Sequence, residues 1–177
     1  MEQKVERDKI MIIVITGTPG TGKTTLAKEA AEFLGKGTLV LNDAKLARES
    51  GCGKRNYAKE LEVGIPELKA AAKKRIAGKN DAILEGHLFC EARFPADIVI
   101  VLRAKPETIE KRLRAKRKYA ETKMLDNAMA EANGYCLKAA RKNYPKGIVA
   151  EVCGDKGLKS AKADVIGIVK EFGQKSK

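Results

Sequence analysis

Short apolar runs alternate along the chain with longer stretches in which apolar residues recur every three or four positions. Ile10–Thr16 is the first run, continuous and β-branched, as expected of a strand covered on both faces. A glycine-rich break follows at Gly17–Gly22. Lys23–Leu34 then sets Leu26, Ala27, Ala30 and Leu34 on one side of a helix that Gly35 and Gly37 end. Thr38–Asn42 predicts a second strand, with Asp43 as cap for a helix over Ala44–Glu49. Gly51–Gly64 shows no period and reads as a loop-rich insertion, after which Pro66 predicts the first turn of a helix reaching Ile76. Further strands are expected at Asp81–Glu85, Ile98–Leu102 and Gly147–Cys153. Further helices are expected at Pro106–Arg114, Glu121–Asn143 and Leu158–Phe172, with the Ala128–Ala140 pattern serving packing.

Strands separated by helices argue for a parallel sheet covered on both faces. With 177 residues, 44% of them hydrophobic, one domain can bury a core without disulfide or metal staples. The net charge of +13 is spread along the chain and fits either a solvated basic surface or a polyanionic partner such as RNA. Cys52, Cys90, Cys136 and Cys153 form no C-x-x-C pair and read as reduced, packed thiols. Met1–Lys9 lacks the apolar stretch of a secretory leader, and no run approaches the about 18 apolar residues of a membrane span. A cytoplasmic protein with no membrane partner is expected.

The chemistry concentrates in Gly17-Thr18-Pro19-Gly20-Thr21-Gly22-Lys23-Thr24, a complete Walker A pattern between a strand and a helix. Glycines let successive main-chain N–H groups turn inward and form a nest for phosphate oxygens, and the following helix points its positive end at the same oxygens. Gly20 and Gly22 are therefore expected to line the ATP phosphates, with Lys23 on the β- and γ-phosphates and Thr25 on the α-phosphate. The Thr24 hydroxyl is placed to ligand magnesium, the expected cofactor of ATP. Glu85 ends an apolar strand where a Walker B carboxylate belongs, and there it can hold magnesium or a magnesium-bound water. An ordinary strand-end salt bridge is the alternative. His87, the single histidine, follows at the carboxyl end of that strand and faces the expected nucleotide crevice.

Thr16–Leu26, Leu46-Ala47-Arg48-Glu49, Glu85-Gly86-His87, Val99–Arg103 and Arg117–Asn127 together resemble the adenylate kinase isoenzyme 6 family, the coilin-interacting nuclear ATPases, in an archaeal form. The resemblance spans most of the chain from Met11 onward. It implies an α/β P-loop nucleoside monophosphate kinase fold, with a five-stranded parallel sheet, helices on both faces and a short lid. That fold would occupy residues 1–177 as one domain, with a monophosphate-binding insertion at about 43–65 and a lid at about 115–125. Reversible transfer between ATP and AMP, ATPase activity and a role in maturing the small ribosomal subunit are also implied. A ribosomal protein or pre-ribosomal RNA would then be the partner.

By the same resemblance Arg48 binds the acceptor monophosphate, His87 positions water or a phosphate, and Arg117 is the lid cation of ATP binding and catalysis. The resemblance also places the loop at Cys153-Gly154-Asp155 under the adenine ring. Two departures stand out: the family more often has Asp at position 85, and one extra residue precedes Arg117. Arg112, Arg114 and Lys116 read as the solvated face of a helix, and Arg93 as a surface cation. Kinase and ATPase readings share every cradle residue. A passive RNA-binding module would leave the cradle without use, and the matches at Glu85–His87 and Arg117–Asn127 disfavour a shikimate or nucleoside kinase.

Overall fold

The computed structural model describes residues 10–56, 61–78, 81–116 and 119–175. Its elements are β1 (Ile12–Thr16), α1 (Lys23–Leu34), β2 (Leu39–Asn42), α2 (Asp43–Glu49), β3 (Gly53–Arg55), β4 (Leu61–Val63) and α3 (Ile65–Ile76). There follow β5 (Ala82–Glu85), β6 (Ile98–Arg103), α4 (Pro106–Arg114), α5 (Glu121–Ala132), α6 (Tyr135–Asn143), β7 (Val149–Cys153) and α7 (Leu158–Lys175). A five-stranded parallel sheet runs in the order β2-β5-β1-β6-β7, as the alternation of strands and helices predicts.

Alternation along each central strand divides the core between the two faces of the sheet. Ile13 and Ile15 of β1 and Ile98, Ile100 and Leu102 of β6 meet Leu26, Ala27 and Ala30 of α1 and Val165 and Val169 of α7. Val14, Val99 and Val101 point the other way, toward α2, α3 and α6. Each aliphatic side chain withdrawn from water in this way contributes about 1.5–3 kcal/mol. The carboxyl ends of β1 and β5 thus stand on a close-packed platform, beside the point where the strand order reverses and ligands of such sheets bind.

Three expectations need correction. The stretch Gly51–Gly64 carries an antiparallel pair, Gly53↔Val63 to Arg55↔Leu61. Strands of three residues are too short to show an alternation. The single helix expected over Glu121–Asn143 is two, α5 and α6, broken where Gly134 takes φ +64°, a left-handed turn that costs glycine little. Finally, Asn42 and not Asp43 caps α2, its side chain accepting from the Lys45 N–H at 2.9 Å. Among the described residues no helix is long and apolar enough to cross a membrane.

Candidate active site

Between β1 and α1 the chain folds into a turn in which Gly20 and Gly22 hold φ at +96° and +101°. No side chain caps α1, and its first turn holds no acidic residue, so its leading N–H groups stay open to an anion. The turn lines a cleft of about 560 Å³ that takes in Gly20, Gly22, Lys23, Thr24 and Thr25 together with Glu85 and His87. These seven expected site residues therefore come together. The Lys23 ammonium rests on the turn's own Thr18 carbonyl at 3.1 Å. Burial pushes it below the ordinary lysine range, while the carboxylates of Asp43 and, more weakly, Glu85 oppose the shift.

Glu85 is buried, pairing in the sheet with Ile15 on one side and Asn42 on the other. Its carboxylate accepts from the Asn42 amide at 2.8 Å and from the Thr24 hydroxyl at 3.2 Å. A hydroxyl oxygen and a carboxylate oxygen, adjacent and at the mouth of an anion nest, are the hard donors magnesium takes alongside phosphate oxygens. Among the described residues no group of three or more His, Cys, Asp or Glu side chains gathers into a metal cage. Thr24 and Glu85 fit an ion that arrives with its nucleotide.

Beside this pair lies a second one that the sequence does not announce. Asp43, whose expected role was capping, is 3% exposed and lines the cleft. Its carboxylate accepts from the main-chain N–H of Ala44 at 2.7 Å and of Leu88 at 2.9 Å, and it stands 3.4 Å from Nδ1 of His87. That contact favours the proton on Nδ1 and leaves Nε2 as the accepting nitrogen. Burial and then the charge of Lys23 push the imidazole below its ordinary range, with Asp43 opposing. Gly86 makes the arrangement possible: at φ +152°, a Cβ there would lie 2.0 Å from the Asp43 carboxyl carbon. The signal available in the sequence was the position of Asn42 and Asp43, two polar residues at the carboxyl end of β2.

Arg112 was read as solvated, and the structure overturns that. Its guanidinium donates to the carbonyls of Gly20 at 3.2 Å and Thr21 at 3.5 Å, and to that of Gly154 at 3.0 Å. One side chain thus joins the phosphate turn to the loop after β7. Ile109 and Leu113 flank it on α4 and approach Gly20 so closely that a Cβ there would meet them at 3.3 Å. Arg112 borders that apolar stripe at helical spacing, which was the readable clue. Lys116 and Tyr119 also line the cleft. Arg48 does not: it is exposed on α2, about 140° around the helix from Asp43. Arg117 lies outside the described residues. The Arg93 side chain is exposed, and its carbonyl accepts from Lys69 at 2.7 Å.

With this geometry in place, the chain can be set beside known proteins. A model of the AAA domain family matches residues 13–134. The chain is 43% identical over 144 residues to a Pyrococcus furiosus protein named "Putative adenylate kinase", an alignment covering 81% of this chain and 76% of that one. A Pyrococcus abyssi protein of the same name is 46% identical over 121 residues, covering 68% of this chain and 63% of its own length. Among solved structures, TT1252 from Thermus thermophilus superposes with a TM-score of 0.63 at 17% identity, covering 93% of this chain and 98% of its own. Shikimate kinase from Bacteroides thetaiotaomicron follows at TM-score 0.59 and 16% identity, covering 93% and 99%. At such identities these structures speak for the P-loop kinase-type fold alone. The chain belongs to the AAA domain family, in company with archaeal relatives that are 43% and 46% identical to it over the aligned residues.

Proposed function

We propose that this protein is a magnesium-dependent nucleoside monophosphate kinase that moves the γ-phosphoryl group of ATP to AMP. The carrying observation is the open N-terminus of α1 behind Lys23, with the Thr24–Glu85 pair at the mouth of the same cleft. The names of the archaeal relatives support nucleotide kinase chemistry, and the resemblance to the adenylate kinase isoenzyme 6 family supports AMP as acceptor.

Phosphoryl transfer needs no covalent protein intermediate, so catalysis is positioning plus charge stabilisation. Main-chain N–H groups from Gly20 to Thr24 hold the triphosphate, and Lys23 leaves the Thr18 carbonyl for the β- and γ-oxygens. Thr24 and Glu85 would hold magnesium, which neutralises phosphate charge when bound. Arg112 locks the turn against the loop after β7, which by the family resemblance lies under the adenine ring. In this reading Arg117 closes over the migrating phosphoryl group and Arg48 takes the monophosphate.

A second acceptor is water. The Asp43–His87 pair favours it, because an imidazole with a free Nε2 beside a buried carboxylate can take a proton from water, whereas an AMP phosphate arrives already deprotonated. ATP hydrolysis, used in maturing the small ribosomal subunit with a ribosomal protein or its RNA as partner, is that alternative. ADP formation measured with and without AMP separates the two. AMP-stimulated ADP formation is expected, and Arg48→Ala should reduce it at least about fivefold more than it reduces hydrolysis without AMP. Equal rates with and without AMP, unchanged by the Arg48 substitution, would remove the kinase reading.

A further inference from the structure

Glu131 is 1% exposed on α5, outside the lining of the cleft. A carboxylate taken that far from water is costly unless every oxygen is met. Here both oxygens are met, by three donors from two separate segments of the chain. Oε1 accepts from Nε of Arg103 and from the Ala104 N–H at 3.1 Å, both at the end of β6. Arg103 also donates through Nη2 to the Glu131 carbonyl at 3.1 Å. Oε2 accepts from the Thr18 hydroxyl at 2.6 Å, the short length of a hydroxyl-to-carboxylate bond.

Thr18 is itself 1% exposed and belongs to the phosphate turn. Its carbonyl accepts from the Thr21 N–H at 3.2 Å, the Thr21 hydroxyl at 2.8 Å and the Lys23 ammonium at 3.1 Å. An unbroken polar path therefore runs from α5, through one carboxylate and one threonine, to Lys23. Arg103 and Ala104 tie one oxygen of Glu131 to the sheet, and the Thr18 hydroxyl ties the other to the phosphate turn.

We propose that Glu131 is a positioning residue for phosphoryl transfer: through the Thr18 hydroxyl it fixes the turn that sets where Lys23 stands. Because α5 packs on α4, which carries Arg112 to the same turn, a shift of this helix pair reaches the ammonium through Glu131 and Thr18. The inference rests on the reading that Lys23 contacts the transferred group.

The test compares Thr18→Val, Thr18→Ser, Glu131→Gln and the Thr18→Val/Glu131→Gln double variant with the unaltered protein. Steady-state ATP turnover is measured well below each melting midpoint. Thr18→Val should lower kcat about tenfold while changing the KM for ATP far less, since a displaced ammonium weakens the transition state more than ground-state binding. Thr18→Ser, which keeps the hydroxyl, should restore most of the loss. Glu131→Gln should lower kcat similarly, and the double variant should fall no further than the worse single, as expected of residues acting in one path. Thr18→Val that melts earlier but keeps the unaltered kcat would overturn the inference, as would losses that multiply in the double variant. Should Glu131→Gln fail to fold, the Thr18 pair decides alone. An unaltered protein that turns over no ATP would overturn the functional reading, and this inference with it; turnover with an unimpaired Thr18→Val would overturn the inference only.

Discussion

The side of the proposed site that would receive the phosphate donor and the side that would receive the acceptor are built differently. On the donor side the phosphate nest is contiguous in sequence and lies between central strands: Gly17–Thr25 supplies its turn, and buried Glu85 flanks it from the neighbouring strand. The proposed acceptor side reaches the cleft only through Asn42 and Asp43, while Arg48 of the short helix α2 stands exposed outside it and the β3–β4 pair is absent from its lining. A triphosphate is the same in every reaction of this kind, so a rigid nest serves it. An acceptor must be admitted and released, and Arg48, its proposed ligand, stands in solvent. Rigidity is invested where the ligand does not vary.

Breaking the donor side should have the largest effect. Lys23→Ala removes the ammonium that rests on the turn and should lower ADP formation, with or without AMP, by about a hundredfold or more. Retained turnover would detach the chemistry from this cleft.

Next comes Gly86→Ala, where a Cβ at φ +152° collides with the Asp43 carboxylate. A stability loss on the order of 2 kcal/mol is expected in chemical denaturation, together with loss of activity as Asp43 and His87 separate. A variant as stable and active as the parent would mean that the Asp43–His87 contact is not held from Gly86.

Arg112→Ala sharpens the comparison by testing whether a distant side chain stiffens the donor nest. ATP binding should weaken about tenfold in titration calorimetry, the loss expected for charged hydrogen bonds to the Gly20 and Gly154 carbonyls. Unchanged affinity would return Arg112 to the role of a surface cation.

How far the sequence could be read follows the same division. The phosphate turn, the strands that flank it and Glu85 were legible because each depends on residues adjacent in the chain or on a plain strand period. Asp43 and Arg112 were harder to read, because the partners that fix them in the site are main-chain groups 45 and 42 to 92 positions away, which the local pattern does not name. Asp43 also satisfied a simpler role, that of a helix cap, while Asn42 performed it. The β3–β4 pair was too short to register, and Gly134 lay inside an otherwise helical pattern whose apolar residues run on through the break. The burial of Glu131 was hidden for the same reason, since only the tertiary contact with Thr18 and Arg103 distinguishes it from a solvated helix carboxylate.

The smallest effect concerns the imidazole at the border of the two sides. His87 is the single histidine, so its resonance is unambiguous in nuclear magnetic resonance. In magnesium-free buffer its titration should centre below the ordinary value of about 6.5, because burial and Lys23 disfavour the charged form. Asp43→Asn should lower the midpoint further, since the lost carboxylate favours that form. A midpoint that rises in this variant would refute the contact.

The most direct test is a crystal structure with magnesium and a non-hydrolysable ATP analogue. The account predicts β-phosphate oxygens within about 3.2 Å of main-chain nitrogens between Gly20 and Thr24, with the Lys23 ammonium moved from the Thr18 carbonyl onto the phosphates. An analogue bound elsewhere, with Lys23 still on Thr18 and the turn unfilled, would contradict it.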